Sequence, residues 1–193
     1  MKIFNGFKIS GKYYNSIILI GNFDGLHLGH QKLFKKARDF KKKFKCKIGV
    51  ITFNPIPKMF FNKKLKNFKL MNFSQKIEQF KKQKVDFLIN QKFSKSFSKI
   101  KAEYFIEKYL NKKIKTKFLF VSNNFKFGNK REGDIKLLKS FENQCNYKLI
   151  IPPPLKKNNK IISSTLIRNL LSSGNLIKAN KIGRAHVWTP VTL

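Results

Sequence analysis

Ser16-Ile-Ile-Leu-Ile20 runs directly into Gly21-Asn-Phe-Asp-Gly-Leu-His-Leu-Gly-His-Gln31. The first segment is an apolar run closed by a glycine, the pattern of a strand buried on both faces of a parallel sheet. After the second, Leu33, Ala37, Phe40 and Phe44 recur at spacings of three and four. That spacing predicts a helix from about His30 to Lys43. Strand, glycine-rich turn and helix in this order set a helix N-terminus at the carboxyl end of a strand. Unpaired N–H groups and the positive end of the helix dipole gather there, which suits phosphate. Gly21, Gly25 and Gly29 permit tight backbone and close ligand approach. His27 and His30 flank Leu28-Gly29 and can donate hydrogen bonds to a triphosphate. The competing readings are a pair of surface histidines or a metal site, and zinc lacks cysteine or carboxylate partners at ligand spacing apart from Asp24.

The pattern repeats along the chain. Lys47–Phe53 reads as the next strand, stopped by Pro55 and Pro57. Ser74 is the expected N-cap of a helix holding Ile77 and Phe80. Val85–Ile89 reads as a strand, and Ala102, Phe105, Ile106 and Tyr109 as a helix. Lys117–Val121 is a strand, and Asp134 caps a helix with Leu137, Leu138 and Phe141. Tyr147–Ile151 is a strand ended by three prolines. Ser163 or Ser164 caps a helix through Leu166, Ile167 and Leu170, stopped near Gly174. About five alternations predict an α/β fold, a doubly wound parallel sheet with helices on both faces. Ligands of such folds bind beyond the carboxyl ends of the strands.

The chain has 193 residues, 41% of them hydrophobic, enough for one domain with a core. No run approaches the roughly 20 apolar residues of a membrane span. The start, MKIFNGFKIS, lacks a secretory core and cleavage site. Cys46 and Cys145 are far apart and fit idle thiols. A cytoplasmic protein without membrane partners is expected. The formal net charge of +34 invites a nucleic-acid reading. Only four of the 43 basic residues are arginine, however, namely Arg38, Arg131, Arg168 and Arg184. The rest are lysine, and Phe, Asn and Ile are equally heavy, all residues of A/T-rich codons. Nucleotide bias therefore accounts for the charge, and no specific nucleic-acid partner is expected. A basic RNA-binding protein remains the non-enzymatic alternative.

HxGH after a first strand resembles the HIGH-type nucleotidyltransferases, and the longer Gly21–Gln31 string resembles their bacterial FAD synthetase branch. Three more stretches follow in that branch's order. Thr52-Phe-Asn-Pro-Ile-Pro57 resembles its TFxPHP stretch. Phe125-Lys-Phe-Gly128, with Arg131 and Gly133-Asp134, resembles DFxFG…GD. Ile162-Ser-Ser-Thr-Leu-Ile-Arg168 resembles ISSTxIR. The similarity spans about residues 15–181 and implies a Rossmann-like domain, 1–181, that transfers AMP from ATP to FMN, with Mg2+ taking part. It implies that His27, His30 and Arg168 act on the ATP phosphates, Arg168 on the leaving pyrophosphate. Gly21, Asn22, Phe23, Asp24, Gly25, Gly29, Ser163, Ser164 and Thr165 would surround the nucleotide. Asn124, Phe127 and Arg131 would serve flavin and phosphate handling. The metal ligands stay unassigned. The alternative within the superfamily is transfer to another phosphorylated acceptor, such as glycerol phosphate or phosphopantetheine.

Three positions depart from the branch's pattern. Ile56 stands for the histidine of PHP, Asn124 for the aspartate of DFxFG, and Ser122 for the glycine two residues before it. Past 181 the branch reaches GRxY and a riboflavin kinase domain. Here Ile182-Gly-Arg-Ala-His-Val-Trp-Thr-Pro-Val-Thr192 resembles one reading frame of a common sequencing-library adapter, with TGA read as tryptophan. Residues 182–193 are therefore expected to be a non-native tail, without a kinase domain. A natural divergent terminus is the other reading.

Overall fold

A computed structural model describes residues 1–65, 68–157 and 160–183 of the chain. The segments read as strands pair into one parallel sheet as β2 (Ile17–Ile20), β3 (Ile48–Asn54), β4 (Phe87–Lys92), β5 (Phe118–Phe120) and β6 (Lys148–Ile150), joined by β1 (Lys2–Phe4), which the sequence pattern does not predict. Their order is β1-β4-β3-β2-β5-β6. From β2 the chain builds outward on one side through β3 and β4, then returns to place β5 and β6 on the other. The order thus reverses at β2, and the crevice beyond the carboxyl ends of β2 and β5 is the expected ligand position.

Alternation along β2 shows why two layers of helix are needed. Ile17 and Leu19 join Phe34 and Ala37 of helix α1 (Leu28–Phe44) and Phe80 of α3 (Phe73–Lys82). Ile18 and Ile20 join the opposite cluster with Ile106, Leu110 and Leu138. A strand that is apolar on both faces must be covered on both. The remaining helices are α2 (Pro57–Phe61), α4 (Lys95–Ser98), α5 (Ala102–Tyr104), α6 (Ile135–Ser140), α7 (Ser164–Ser172) and α8 (Leu176–Ile182). A small hairpin, β7 (Lys156–Lys157) with β8 (Lys160–Ile161), precedes α7.

Several expectations are corrected. The cap of α3 is Asn72, not Ser74: Asn72 accepts from the Gln75 N–H while Gln75 accepts from the Asn72 N–H, a reciprocal box that starts the helix earlier. The strand expected at Val85–Ile89 is displaced to Phe87–Lys92, because Asp86 is engaged by its side chain on the Ile48 N–H and Lys41. The helix expected through Tyr109 widens from α to π turns over Phe105–Lys113, which keeps Phe105, Ile106, Leu110 and Ile114 buried together. The proline stretch after β3 begins the short helix α2, with Pro57 in its first turn. Ile182 closes α8 and is buried against Ile167 and Ala179, so the boundary read at 181 falls within a packed helix. Residues 184–193, most of the adapter-like segment, lie outside the described residues.

Candidate functional site

The segment between β2 and α1 is wound tightly. Gly25 adopts φ +78, and a Cβ there would lie 2.7 Å from Leu70 Cδ1, so a side chain at this position would strain the backbone and displace Leu70. Phe23 and Leu26 also take positive φ, an uncommon state for large side chains, and both are buried. Backbone strain of this kind persists where surrounding packing holds it, often at a site of function. Phe23 is held by ring contacts to Phe34, Phe80 and His30.

His27 is the N-cap of α1, and its Nδ1 accepts the His30 backbone N–H at 3.4 Å. The two imidazoles stack with centroids 3.7 Å apart. Burial pushes His27 down to about 4. Burial, then His27 and Lys76, hold His30 well below the ordinary range. Both rings are therefore neutral at pH 7. Since Nδ1 of His27 is an acceptor, its proton is assigned to Nε2, leaving a donor at the helix mouth. His30 Nδ1 and Asn22 Oδ1 are buried with no hydrogen-bond partner among the described residues.

A second helix N-terminus meets the first. A Cβ on Gly29 would sit 3.6 Å from the Ile162 carbonyl, just before α7. Ser163 caps α7 by accepting the Leu166 N–H. Ser164 Oγ donates to the Asp24 carbonyl at 2.6 Å, and Thr165 is exposed beside it. The Asp24 carboxylate accepts the Leu70 and Met71 N–H groups and Arg168 Nη2, the last at 2.7 Å. Arg168 Nε donates to the Phe68 carbonyl, and the guanidinium lies 3.8 Å above the Phe68 ring. Gly21, Asn22, Phe23, Asp24, Gly25, His27, Gly29, His30, Ser163, Ser164, Thr165 and Arg168 are thus drawn around two converging helix starts. In this arrangement Asp24 and Arg168 hold each other.

Asn124, Phe127 and Arg131 lie apart from that cluster in the loop after β5, also beyond the carboxyl end of a strand. Phe127 pairs with Gly133 across the loop and stacks on Phe125. Glu132 docks the loop on α5 by accepting the Ala102 N–H at 2.7 Å, while Arg131 is exposed. The two departures in this loop touch: Ser122 Oγ donates to Asn124 Oδ1 at 3.0 Å. Ile56 is buried at the start of α2. Among the described residues no three His, Cys, Asp or Glu side chains gather as a metal cage, and the motif's carboxylate is engaged by Arg168. This donor set does not fit a magnesium ion held by protein groups alone.

One residue at the site carries no motif. Lys76 is buried, and its Nζ donates to the Asn22 carbonyl at 2.9 Å. Its position one turn before Phe80, on the stripe that faces the sheet, is the signal that distinguishes it from the other lysines.

The sequence model of the FAD synthetase family matches residues 10–166, most of the chain and all of the site up to Leu166. The chain belongs to the FAD synthetase family. Bifunctional riboflavin kinase/FMN adenylyltransferases are its curated relatives. That of Buchnera aphidicola subsp. Acyrthosiphon pisum is 38% identical over 95% of this chain and 64% of its own length. That of Buchnera aphidicola subsp. Schizaphis graminum is 40% identical over 88% and 60%. The Escherichia coli K12 protein is 30% identical over 86% and 53%. The chain therefore spans about 53–64% of the length of these relatives. A crystal structure described as a macrolide-efflux protein from Streptococcus pneumoniae superposes with a TM-score of 0.80 at 29% identity, over 94% of this chain and 60% of that one. No helix among the described residues is long and apolar enough to cross a membrane, and what this FAD synthetase family chain shares with that structure is the architecture.

Proposed function

We propose that the chain transfers the adenylyl group of ATP to FMN, giving FAD and pyrophosphate. The observation that carries this reading is the histidine pair of the FAD synthetase motif at the start of α1, facing the start of α7. A phosphate oxygen of FMN attacks the α-phosphorus of ATP, a new P–O–P linkage forms, and the bond to the β-phosphate oxygen breaks. The nucleophile is already an anion, so no general base is required. Catalysis is then alignment plus stabilisation of phosphate charge. His27 Nε2–H and the first-turn amides of α1 and α7 supply neutral donors. Arg168 supplies a cation for the leaving pyrophosphate, and the Asp24 carboxylate presets its direction from the nucleotide's side of α7. Asn124, Phe127 and Arg131 are assigned to the flavin end.

The test is incubation of the chain with FMN and ATP, with FAD and pyrophosphate followed separately, and with glycerol phosphate and phosphopantetheine as rival acceptors. FAD formation in preference to the rival products supports the reading. Well-folded protein that makes no FAD sinks it. His27→Ala or His30→Ala is expected to lower the rate on the order of 10²–10³-fold, as for loss of a transition-state donor. Parent turnover in both folded variants would take the histidines out of the mechanism.

A further inference from the structure

The segment from Leu70 to Phe80 grips the motif loop at three consecutive residues. The Leu70 and Met71 N–H groups hold the Asp24 carboxylate. Phe80 packs edge-on against Phe23, ring centroids 5.8 Å apart. Between them Lys76 donates to the Asn22 carbonyl, which also accepts the Thr52 hydroxyl at 3.4 Å. Lys76 and Phe80 are one helical turn apart, so one face of α3 sets both Asn22 and Phe23, and Phe23 in turn abuts His30. A lysine is a costly choice for such a place. Burying an ammonium is unfavourable unless its charge and donors are used. Phe80 shows that an apolar side chain is compatible with this face. The ammonium carries three donors. One serves Asn22, while the two site acceptors without partners among the described residues, Asn22 Oδ1 and His30 Nδ1, belong to the same loop and its neighbour.

We propose that Lys76 is a positioning residue for nucleotide transfer: a buried ammonium that fixes the motif loop at the Asn22 carbonyl, next to the Phe23 ring against which His30 rests. The assignment of the transfer itself rests on the function proposed above, but the link between Lys76 and His30 does not. The charged and titratable groups around this point are few. Burial disfavours a proton on His30 first, and His27 at the start of α1 and then Lys76 of α3 add to it. Burial disfavours the charge on Lys76 and lowers its pKa, Asp24 in the motif loop, paired with Arg168 of α7, favours that charge, and Lys69 opposes it. Burial is the first cause of the neutral His30 ring and a cation at Lys76 adds to it, so a neutral replacement lets His30 take a proton at higher pH.

The test uses the full chain with Lys76→Met, Lys76→Gln and Lys76→Arg. Met keeps the length and loses charge and donor, Gln keeps a donor without charge, and Arg keeps both. Histidine ring resonances are titrated by NMR without substrate. Only three histidines are present, so His30→Gln identifies its signal. The expected result is a His30 midpoint that moves to higher pH in the Met and Gln variants and stays near the parent in Arg. In the adenylyl-transfer assay kcat falls on the order of 10²-fold for Met, the KM for ATP changes less than kcat, and Arg recovers part of the loss. An unmoved His30 midpoint in a folded Met or Gln variant overturns the proposal whatever the assay shows. So does failure of both neutral variants to fold, which would make Lys76 a folding residue. A parent chain that makes no FAD but shows the midpoint shift contradicts the proposed function and leaves the Lys76–His30 link standing.

Discussion

Two neutral imidazoles stacked in a largely buried turn make the FAD synthetase motif a liability in acid. An unfolded histidine takes its proton near 6.5, whereas folded His27 resists until about 4. As pH falls through that interval the unfolded chain binds the proton first, so stability present above 6.5 is lost progressively down to about 4. For His27 the full loss is on the order of 3 kcal/mol, and His30 acts in the same direction. Urea unfolding at pH 7 and pH 4.5 should show this drop, and His27→Gln should flatten it; an equally steep acid loss in that variant would clear the ring. The Asp24–Arg168 pair predicts a second effect. Asp24→Ala leaves a guanidinium and two backbone N–H groups without their acceptor. Loss of one partner of a buried pair costs about 3–5 kcal/mol, readable as a lower urea midpoint, and a loss under 1 kcal/mol would show that Arg168 finds another acceptor. The motif residues were legible because glycines and histidines at fixed spacing are rare in a chain of Lys, Phe, Asn and Ile. Lys76 was not, because one lysine among 43 basic residues looks like surface until the fold places it under Asn22.

At the level of elements, strands buried on both faces announced themselves as apolar runs, and β2, β3 and β5 lie within a residue or so of where the pattern set them. The elements that escaped notice are those whose partners lie far away or whose pattern is short. β1 is three residues, mostly exposed, and exists only because β4 supplies its ladder. The β7–β8 hairpin has two residues on each side, too few for any period to register. The contact between β3 and β4 is equally invisible in sequence. Gly49 in β3 lies beneath the Phe87 ring of β4, and an added Cβ would come within 2.2 Å of its Cζ. Gly49→Ala should therefore destabilise by about 1–3 kcal/mol through overpacking, seen as a lower melting temperature. Phe87→Leu in the same chain should recover part of it. Additive losses from the two substitutions would mean that the ring is not what Gly49 accommodates.

Across the whole molecule, the α/β class follows from counting alternations, while the strand order with its reversal at β2 and the packing of α8 on α7 needed the structure. α7 and α8 form their own cluster through Ile162, Ile167, Ala179 and Ile182, and α7 carries Arg168 to the motif. Ile182→Ala should cost about 2 kcal/mol or more and loosen that pair, measured by urea unfolding. A chain ended after Lys181 should melt lower than one ended after Gly183, and equal melting of the two would deny Ile182 its packing role. The sheet order has one more consequence, for the chain as it is being made. Phe4 pairs with Ile89, 85 residues downstream. At the roughly 5–20 residues per second of synthesis, β1 waits on the order of 10 s for β4 to leave the ribosome. During that wait the growing chain carries an open edge on β3 as well. A three-residue β1 that begins with lysine offers little template to a neighbouring nascent chain, and the surplus of positive charge keeps such neighbours apart until β4 slides in between.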